Sequence, residues 1–233
     1  MSLFILVYIR AIPKMNTNSV IKFGEDVEGY NVPVLNEREI RAAAGIMFVM
    51  LFISWMLILF KENFMLVKYV IILFFTDFLV RVLVSPRFSP ALIIGRLIVS
   101  SQTPEYVGAA QKKFAWKIGV ALSGLMFILL DVLNSYSMIA VVSCVICLVF
   151  LFFESAFGIC LGCLFYGLFY KGNTQHCSGN VCEATSKHTI QRISAAQILI
   201  VAGSIVYVLL AIFFFNGYLH ATPRSLQELM RFP

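Results

Sequence analysis

The most constraining feature of this chain is an apolar stretch of 34 residues, Ser137–Tyr170, that contains a single charged residue, Glu154. Four of the six cysteines lie in the same stretch. One continuous helix of this length would be about 50 Å long, whereas the hydrocarbon core of a bilayer is about 30 Å thick. The stretch therefore predicts a membrane span that either projects beyond the bilayer or breaks near Gly158 or Gly162.

The composition extends this interpretation to the whole chain. Hydrophobic residues make up 60% of the sequence, charged residues only 13%, and the mean hydropathy is +0.89. The charged fraction is about half that of a soluble domain, so the chain lacks the polar residues that would cover a soluble globule. We expect an all-α, polytopic membrane protein of about five transmembrane helices, built on a four-helix core with an interfacial helix.

The spacing of charges and breakers predicts how the chain is organised. Residues 1–40 are expected to form a cytoplasmic or interfacial lead-in, 41–170 a four-span core, 171–194 a polar loop with cysteine and histidine, and 195–233 the fifth helix and a short tail. Asn36 is expected to cap the first helix. The predicted spans are Ala42–Phe60, Phe64–Val84, Phe114–Leu133, the span that begins near Ser137, and Ala195–Tyr218, with Ala91–Ser101 along the interface.

The net charge of +6 is interpreted through membrane topology rather than through nucleic-acid binding. With five spans, 14 of the 18 basic residues fall on one side of the membrane. Because Lys and Arg accumulate in cytoplasmic loops, this distribution predicts an inner-membrane protein with a cytoplasmic N-terminus and the bilayer as its principal partner. The four basic residues expected on the other side are Lys61, Lys68, Arg224 and Arg231.

The cysteines form three pairs, and their chemistry is open. Cys160 and Cys163 are spaced to share a helical face near the predicted cytoplasmic end of the fourth span, where they could form a redox dithiol or a soft-metal site. Cys177 and Cys182, with His176, form a weaker candidate metal site in the polar loop. Alternatively, the cysteines are inert, since free cysteine packs well between membrane helices; this is the preferred interpretation for the deep pair, Cys144 and Cys147.

Charged residues inside the predicted spans are the other candidates for function. Asp77 and Arg81 are spaced i, i+4 with the acid first, which favours a mutual ion pair. Glu154 has no partner in its own helix and is expected near that pair, near Lys117, or beside a water-filled cavity, because an unpaired charge in the bilayer is costly. The segment QKKFAWKIG, residues 111–119, is typical of an interfacial anchor that places Trp116 among the lipid headgroups.

Four segments occur in an order that resembles a known family: NEREIRAAAG (36–45), TDFLVR (76–81), KKFAWKIG (112–119) and ESAFGICLGCLFYG (154–167). They look like an uncharacterised integral membrane family, a domain of unknown function, over roughly Val34–Tyr170. The resemblance implies a four-span core that ends in an E-x-x-x-G-x-C-x-G-C-x-x-Y signature. It implies no established activity.

Two functions remain open from the sequence. In the first, Cys160 and Cys163 handle thiol redox equivalents, reactive sulfur or a soft metal at the cytoplasmic face. Glu154 is the third candidate catalytic residue, and Asp77, Arg81 and Lys117 supply a polar membrane interior. In the second, the chain is a non-catalytic accessory subunit of a larger membrane complex. The first predicts a polar cavity that reaches the cysteine pair, and the second predicts a closed core with a large apolar outer face. The sequence does not identify a cofactor.

Overall fold

The computed structural model describes residues 23–27, 32–169, 194–219 and 223–225. Within these residues, the protein is built mainly from helices, joined by short two-stranded pairings. The helices are α1 Glu37–Lys61, α2 Met65–Leu79, α3 Pro90–Ile98, α4 Ala109–Met126, α5 Met138–Phe152, α6 Leu161–Phe169 and α7 Ala195–Leu219. The strands are β1 Val34–Asn36, β2 Tyr106–Gly108, β3 Ser135–Tyr136 and β4 Arg224–Ser225.

Four helices in the described part of the chain are long and apolar enough to cross a membrane, as expected of a multi-pass membrane protein. They are Glu37–Lys61, Ala109–Val132, Met138–Phe157 and Ala195–Phe214. The second predicted span corresponds to α2 with its extension to Val84, and it is not among the four. It carries three charged residues, Lys68, Asp77 and Arg81, which separate it from the others by composition.

Three of the long helices end in a π-helical segment, and each of these segments carries one charged residue. The segments are Val80–Val84 after α2, Phe127–Val132 after α4 and Phe153–Phe157 after α5, with Arg81, Asp131 and Glu154 respectively. A π turn adds a residue and so rotates a side chain away from its regular helical position; such turns are frequent at functional sites. The described bundle thus changes helix geometry at three of its charged residues.

Helix α1 is the centre of the bundle and packs against α2, α3, α5 and the segment after α5. Its N-cap is Asn36, whose side chain accepts the Arg38 backbone N–H at 3.2 Å, which confirms the predicted cap. Met47 and Leu51 on α1 are almost fully buried against Ile71 and Phe74 of α2. These contacts form the apolar core between the first two long helices.

Helix α3, which the sequence predicts as an interfacial segment, lies against the beginning of α1. At Gly95 an added Cβ would be 2.5 Å from the Glu39 carbonyl oxygen, so the two backbones approach too closely for any side chain. Arg96 forms an ion pair with Glu39 at 3.0 Å, and both side chains are buried. The basic group of α3 is therefore used inside the protein.

The two short sheets lie at opposite ends of the bundle. At one end, β1 pairs with β2 in antiparallel fashion, and the Gln197 side chain at the start of α7 donates to the Arg87 carbonyl oxygen at 3.2 Å. At the other end, β3 pairs with β4 in parallel, and the Arg224 N–H donates to the Asn134 carbonyl oxygen at 2.9 Å. Helix α7 is thus attached to the rest of the bundle at both ends.

Candidate functional site: a buried cysteine pair beside an ion-pair network

The long fourth helix breaks at Gly158. This residue has φ +66°, in the left-handed region, and its N–H donates to the Glu154 carbonyl oxygen at 3.1 Å. An added Cβ would lie 2.9 Å from the Arg41 guanidinium carbon. The left-handed backbone conformation therefore favours glycine, and a side chain here would also displace the end of the Arg41 side chain. Of the two alternatives that the sequence left open, the structure has the break, at Gly158, and the chain starts a new helix, α6, at Leu161.

Cys160 immediately precedes α6, and Cys163 lies in its first turn. The two residues form a disulfide, with Cα atoms 5.1 Å apart. The Cys160 Sγ accepts the Cys163 backbone N–H at 3.3 Å, and the Cys160 carbonyl accepts the Leu164 N–H at 3.1 Å. The sulfur of Cys160 therefore occupies the position of a helix N-cap, where free N–H groups and the helix dipole stabilise a negative charge.

Both cysteines are buried between α6 and its neighbours. Cys160 is 9% exposed and Cys163 is 8% exposed. At Gly162 an added Cβ would be 2.6 Å from the Ala115 Cβ, so α6 packs closely on α4 at this point. The disulfide is consequently enclosed by the bundle rather than presented on an outer helix face.

A cavity of about 70 Å³ lies behind Cys160. Its lining is mainly apolar, with charged groups from two helices, and of the two bonded cysteines Cys160 reaches it. The lining residues relevant to the site are Arg81, Trp116, Cys147, Glu154 and Cys160. The cavity reaches the cysteine pair, as the first of the two functional hypotheses predicts, but its wall is mainly apolar, whereas that hypothesis predicts a polar cavity.

The partner of Glu154 is Lys112. The Lys112 ammonium contacts the Glu154 carboxylate and also the Glu37 Oε2 atom, the latter at 2.8 Å, and its side chain is 4% exposed. The expectation that Lys117 belongs to the polar interior is wrong, because Lys117 is exposed. Two residues that are five positions apart on an α-helix are separated by about 140° around its axis. Lys112 and Lys117 therefore point to different sides of α4.

The segment around Trp116 is packed inside the protein rather than anchored among headgroups. Trp116 is 5% exposed, and the Arg81 guanidinium lies 5.3 Å from the centre of its ring. The neighbouring Lys113 ammonium lies 4.7 Å from the centre of the Phe23 ring. The prediction of an interfacial anchor is therefore wrong for this segment, because Lys112 and Trp116, spaced i, i+4, share the buried face of α4.

Asp77 and Arg81 form a buried ion pair at 2.6 Å, as their spacing indicates. The Ser89 hydroxyl donates to Asp77 Oδ1 at 2.7 Å, and the Ala91 N–H donates to the same oxygen at 3.0 Å. Arg81 Nε in turn donates to Ser89 Oγ at 3.1 Å. Sequence reasoning missed Ser89, although a serine before a proline at the start of a helix is a recognisable N-cap signal.

A second charged group lies at the other end of the bundle. Lys68 is fully buried, and its ammonium donates to Asn134 Oδ1 at 2.6 Å. Asp131 is buried nearby, and neither of its carboxylate oxygens has a hydrogen-bond partner in the described part of the chain. These residues lie at predicted span ends, but the sequence gives no signal that they would face one another across the bundle.

Of the other predicted cysteine sites, the deep pair on α5 lies among the described residues. Cys144 and Cys147 are free thiols on α5, and Cys147 lines the cavity. His176, Cys177 and Cys182 lie outside the described residues. Among the residues that are described, no group of three or more His, Cys, Asp and Glu side chains is arranged to hold a metal ion.

The apolar helices, the buried charges and the enclosed cysteine pair define an α-helical multi-pass membrane protein. The chain belongs to the family described as a domain of unknown function, DUF4395, whose model matches residues 35–171. This confirms the resemblance to an uncharacterised family. The matched region contains the ion pairs of α2 and α4 and both bonded cysteines, and it ends before α7. No curated protein and no solved structure matches the chain.

Proposed function

We propose that this protein is a membrane thiol–disulfide protein in which Cys160 is the reactive cysteine and Cys163 is its resolving partner. The observation that carries this proposal is the position of the Cys160 sulfur, bonded to Cys163 at the N-terminus of α6 and facing a cavity. A thiolate is the reactive form of cysteine, and a helix N-terminus is one of the environments that favour it.

In the reduced protein, the Cys160 thiolate attacks one sulfur of a substrate disulfide small enough to enter the cavity and releases the other sulfur as a thiolate. Cys163 then loses its proton and attacks the Cys160 sulfur, which releases the second substrate thiolate and re-forms the internal disulfide. Glu154 lines the same cavity as Cys160, so its carboxylate is the group that would accept the proton when Cys160 ionises.

The buried ion pairs keep the surrounding interior polar without leaving a bare charge in the bilayer. Lys112 forms ion pairs with both Glu37 and Glu154 beside the site, and Arg81 forms one with Asp77 on the far side of the cavity. Because each group is paired, the charges can persist at membrane depth. This arrangement supports the proposed role of Asp77 and Arg81 in a polar membrane interior.

The site is proposed to face the cytoplasm from an inner membrane crossed five times. Two sets of contacts support this arrangement. Chain segments that are predicted to be cytoplasmic contact one another through the β1–β2 pairing and the Gln197–Arg87 hydrogen bond. Segments that are predicted to lie outside the cytoplasm contact one another through the β3–β4 pairing. In a reducing compartment the Cys160–Cys163 disulfide would be a working redox state rather than a permanent crosslink.

Timed alkylation of the reduced protein tests the proposal. The protein in lipid nanodiscs is reduced, treated with a small permeant alkylating reagent, and the modified cysteines are identified by mass spectrometry. Cys160 is expected to react faster than Cys144 and Cys147, and Cys163→Ser should leave Cys160 reactive. Equal slow modification of Cys160 and the two deep cysteines would sink the proposal.

A specific observation favours an accessory subunit as the second candidate. Helix α7 exposes most of its apolar surface, with only 6% of its span buried, and it is separated from α1 and α2 by a cavity of about 600 Å³. Such a surface suits lipid or a neighbouring membrane subunit. Purification in mild detergent distinguishes the accessory-subunit candidate from the thiol–disulfide candidate, because an accessory subunit should copurify with a partner at fixed stoichiometry.

The soft-metal variant of the thiol hypothesis is kept as a proposal for Cys177, Cys182 and His176, together with the Cys160 pair in its reduced form. Thiolate and imidazole ligands favour zinc or monovalent copper. Metal content of the purified, reduced protein measured beside its free-thiol count tests this variant. A full complement of free thiols with no bound metal would exclude it.

A further inference from the structure

We propose that the substrate of the cysteine pair is a small inorganic sulfide, H2S or HS⁻, which the protein captures as a persulfide on Cys160. This inference rests on the proposed thiol–disulfide function and names its substrate class. It is carried by the size of the space beside the sulfur, by the burial of both cysteines, and by the fact that the cavity reaches Cys160.

The enclosure of the disulfide sets the size of the group that can attack it. Both cysteines are at least nine-tenths buried, and the cavity that reaches Cys160 measures about 70 Å³. On the same measure a single water molecule needs about 10–15 Å³, so the cavity has room for about five to seven water-sized groups. A tripeptide thiol or the active-site loop of a protein reductase is far larger than this space.

The side chains that line the cavity suit a substrate that enters as a neutral molecule and then transfers a proton to a group on the cavity wall. Most of the wall is apolar, from residues such as Phe78, Leu122 and Leu151, and this favours H2S over an ion. Glu154 is the carboxylate on the wall, held by Lys112 from the adjacent helix. A proton released in the cavity therefore has an acceptor next to the reacting sulfur.

The reaction balances without any further oxidant. The sulfur of H2S attacks the Cys160 Sγ, its proton passes to the Glu154 carboxylate, and a new S–S bond forms. The bond between Cys160 and Cys163 breaks, and Cys163 leaves as a thiolate. The sulfide sulfur is oxidised to the sulfane level of a persulfide, and the protein disulfide is the two-electron oxidant. Because the cavity borders Cys160, the persulfide is expected on that residue and not on Cys163.

The experiment measures the rate of opening of the disulfide by thiols of increasing size, with the oxidised full-length protein in nanodiscs. The probes are sodium sulfide, 2-mercaptoethanol and glutathione. Each rate is divided by the rate of the same probe on the denaturant-unfolded protein, which removes differences in intrinsic nucleophilicity. The normalised rate of disulfide opening is expected to be at least about tenfold higher with sulfide than with glutathione. Mass spectrometry is expected to find an added sulfur on Cys160.

A matched pair of substitutions on α4 tests the cavity itself. Leu122→Phe adds a ring where the side chain lines the cavity, whereas Leu125→Phe adds the same ring on the exposed side of the helix. The first variant should slow sulfide capture about tenfold, and the second should react as the wild type does. Thermal unfolding of both variants confirms that each is folded, and Leu122→Ala, which enlarges the cavity, should raise the relative rate with 2-mercaptoethanol.

The possible outcomes separate this inference from the function on which it rests. If all three probes open the folded disulfide at equal normalised rates, or glutathione is the fastest, the sulfide inference is overturned while the thiol–disulfide function stands. If the added sulfur is found on Cys163, the proposed direction of attack is wrong. If no probe opens the disulfide in the folded protein, both proposals fail together.

Discussion

The Asp77–Arg81 pair is the residue-scale feature whose removal should cost the most. Arg81→Ala leaves the Asp77 carboxylate buried with one ionic partner fewer, and we expect a loss of about 3–5 kcal/mol in the free energy of unfolding. The double change Asp77→Asn with Arg81→Gln removes both charges and should recover part of that loss. Thermal unfolding in detergent measures both; a double variant no more stable than Arg81→Ala would show that the two residues do not depend on one another.

Gly158 is a second residue whose substitution is expected to lower the free energy of unfolding. Gly158→Ala puts a Cβ at a left-handed backbone position and against the Arg41 guanidinium, so we expect a loss of about 1–2 kcal/mol. Gly203→Ala in α7 is the matched control, because an added Cβ there has no neighbouring atom within 4 Å and an alanine favours the helix. Denaturation midpoints of the two variants test this, and equal midpoints would contradict the preference for glycine.

At the scale of the element, Lys112 is the group that holds α1, α4 and the segment after α5 together at one point. Lys112→Met strands the buried Glu37 carboxylate and the partly buried Glu154 carboxylate, and a loss of about 3–5 kcal/mol is expected. The adjacent Lys113→Met is the control, since Lys113 makes a partly exposed contact with the Phe23 ring that is worth about 1 kcal/mol. Comparable losses in the two variants would argue against the central position of Lys112.

Elements that depend on local signals are those that the sequence predicts well. The apolar runs predict the long helices, Asn36 predicts the first cap, and the glycines predict the break after Glu154. The i, i+4 spacing of Asp77 and Arg81 predicts their pairing because both residues belong to one helix. Each of these features is decided within about four residues of chain, so a pattern in the sequence is enough to find it.

The parts of the site that join different elements are not predictable in the same way. Lys112 and Lys117 are the same residue type on the same helix, and the choice of Lys112 as the partner of Glu154 depends on how α4 is rotated against α1 and α5. The π segments add to this difficulty, because each one shifts the face on which Arg81, Asp131 or Glu154 lies. A strict 100° rotation per residue therefore misplaces these charges.

At the scale of the whole molecule, two groups of charged residues in the described part of the chain lie toward opposite ends of the bundle, in addition to the Asp77–Arg81 pair. Glu37, Lys112 and Glu154 lie at the end that holds β1 and β2, and Lys68 and Asp131 lie at the end that holds β3 and β4. The span between them is filled by the apolar core around Met47 and Phe74. The cysteine pair lies beside the first group, so the side of the membrane on which that group lies decides the redox compartment of the site.

The predicted membrane topology decides which compartment the cysteine pair faces. In a cysteine-free background, Asn63→Cys and Tyr136→Cys introduce thiols at exposed positions of the loops expected outside the cytoplasm, and Thr103→Cys does so at an exposed position of a loop expected inside. An impermeant maleimide added to intact cells should label the first two, because 14 of the 18 basic residues favour the opposite side as cytoplasmic. Thr103→Cys should be labelled only after the membrane is opened. Labelling of Thr103→Cys in intact cells, with no labelling of the other two variants, would mean that the topology is the reverse of the predicted one. The cysteine pair would then face an oxidising compartment, and a permanent disulfide would be the simpler explanation of the bond between Cys160 and Cys163.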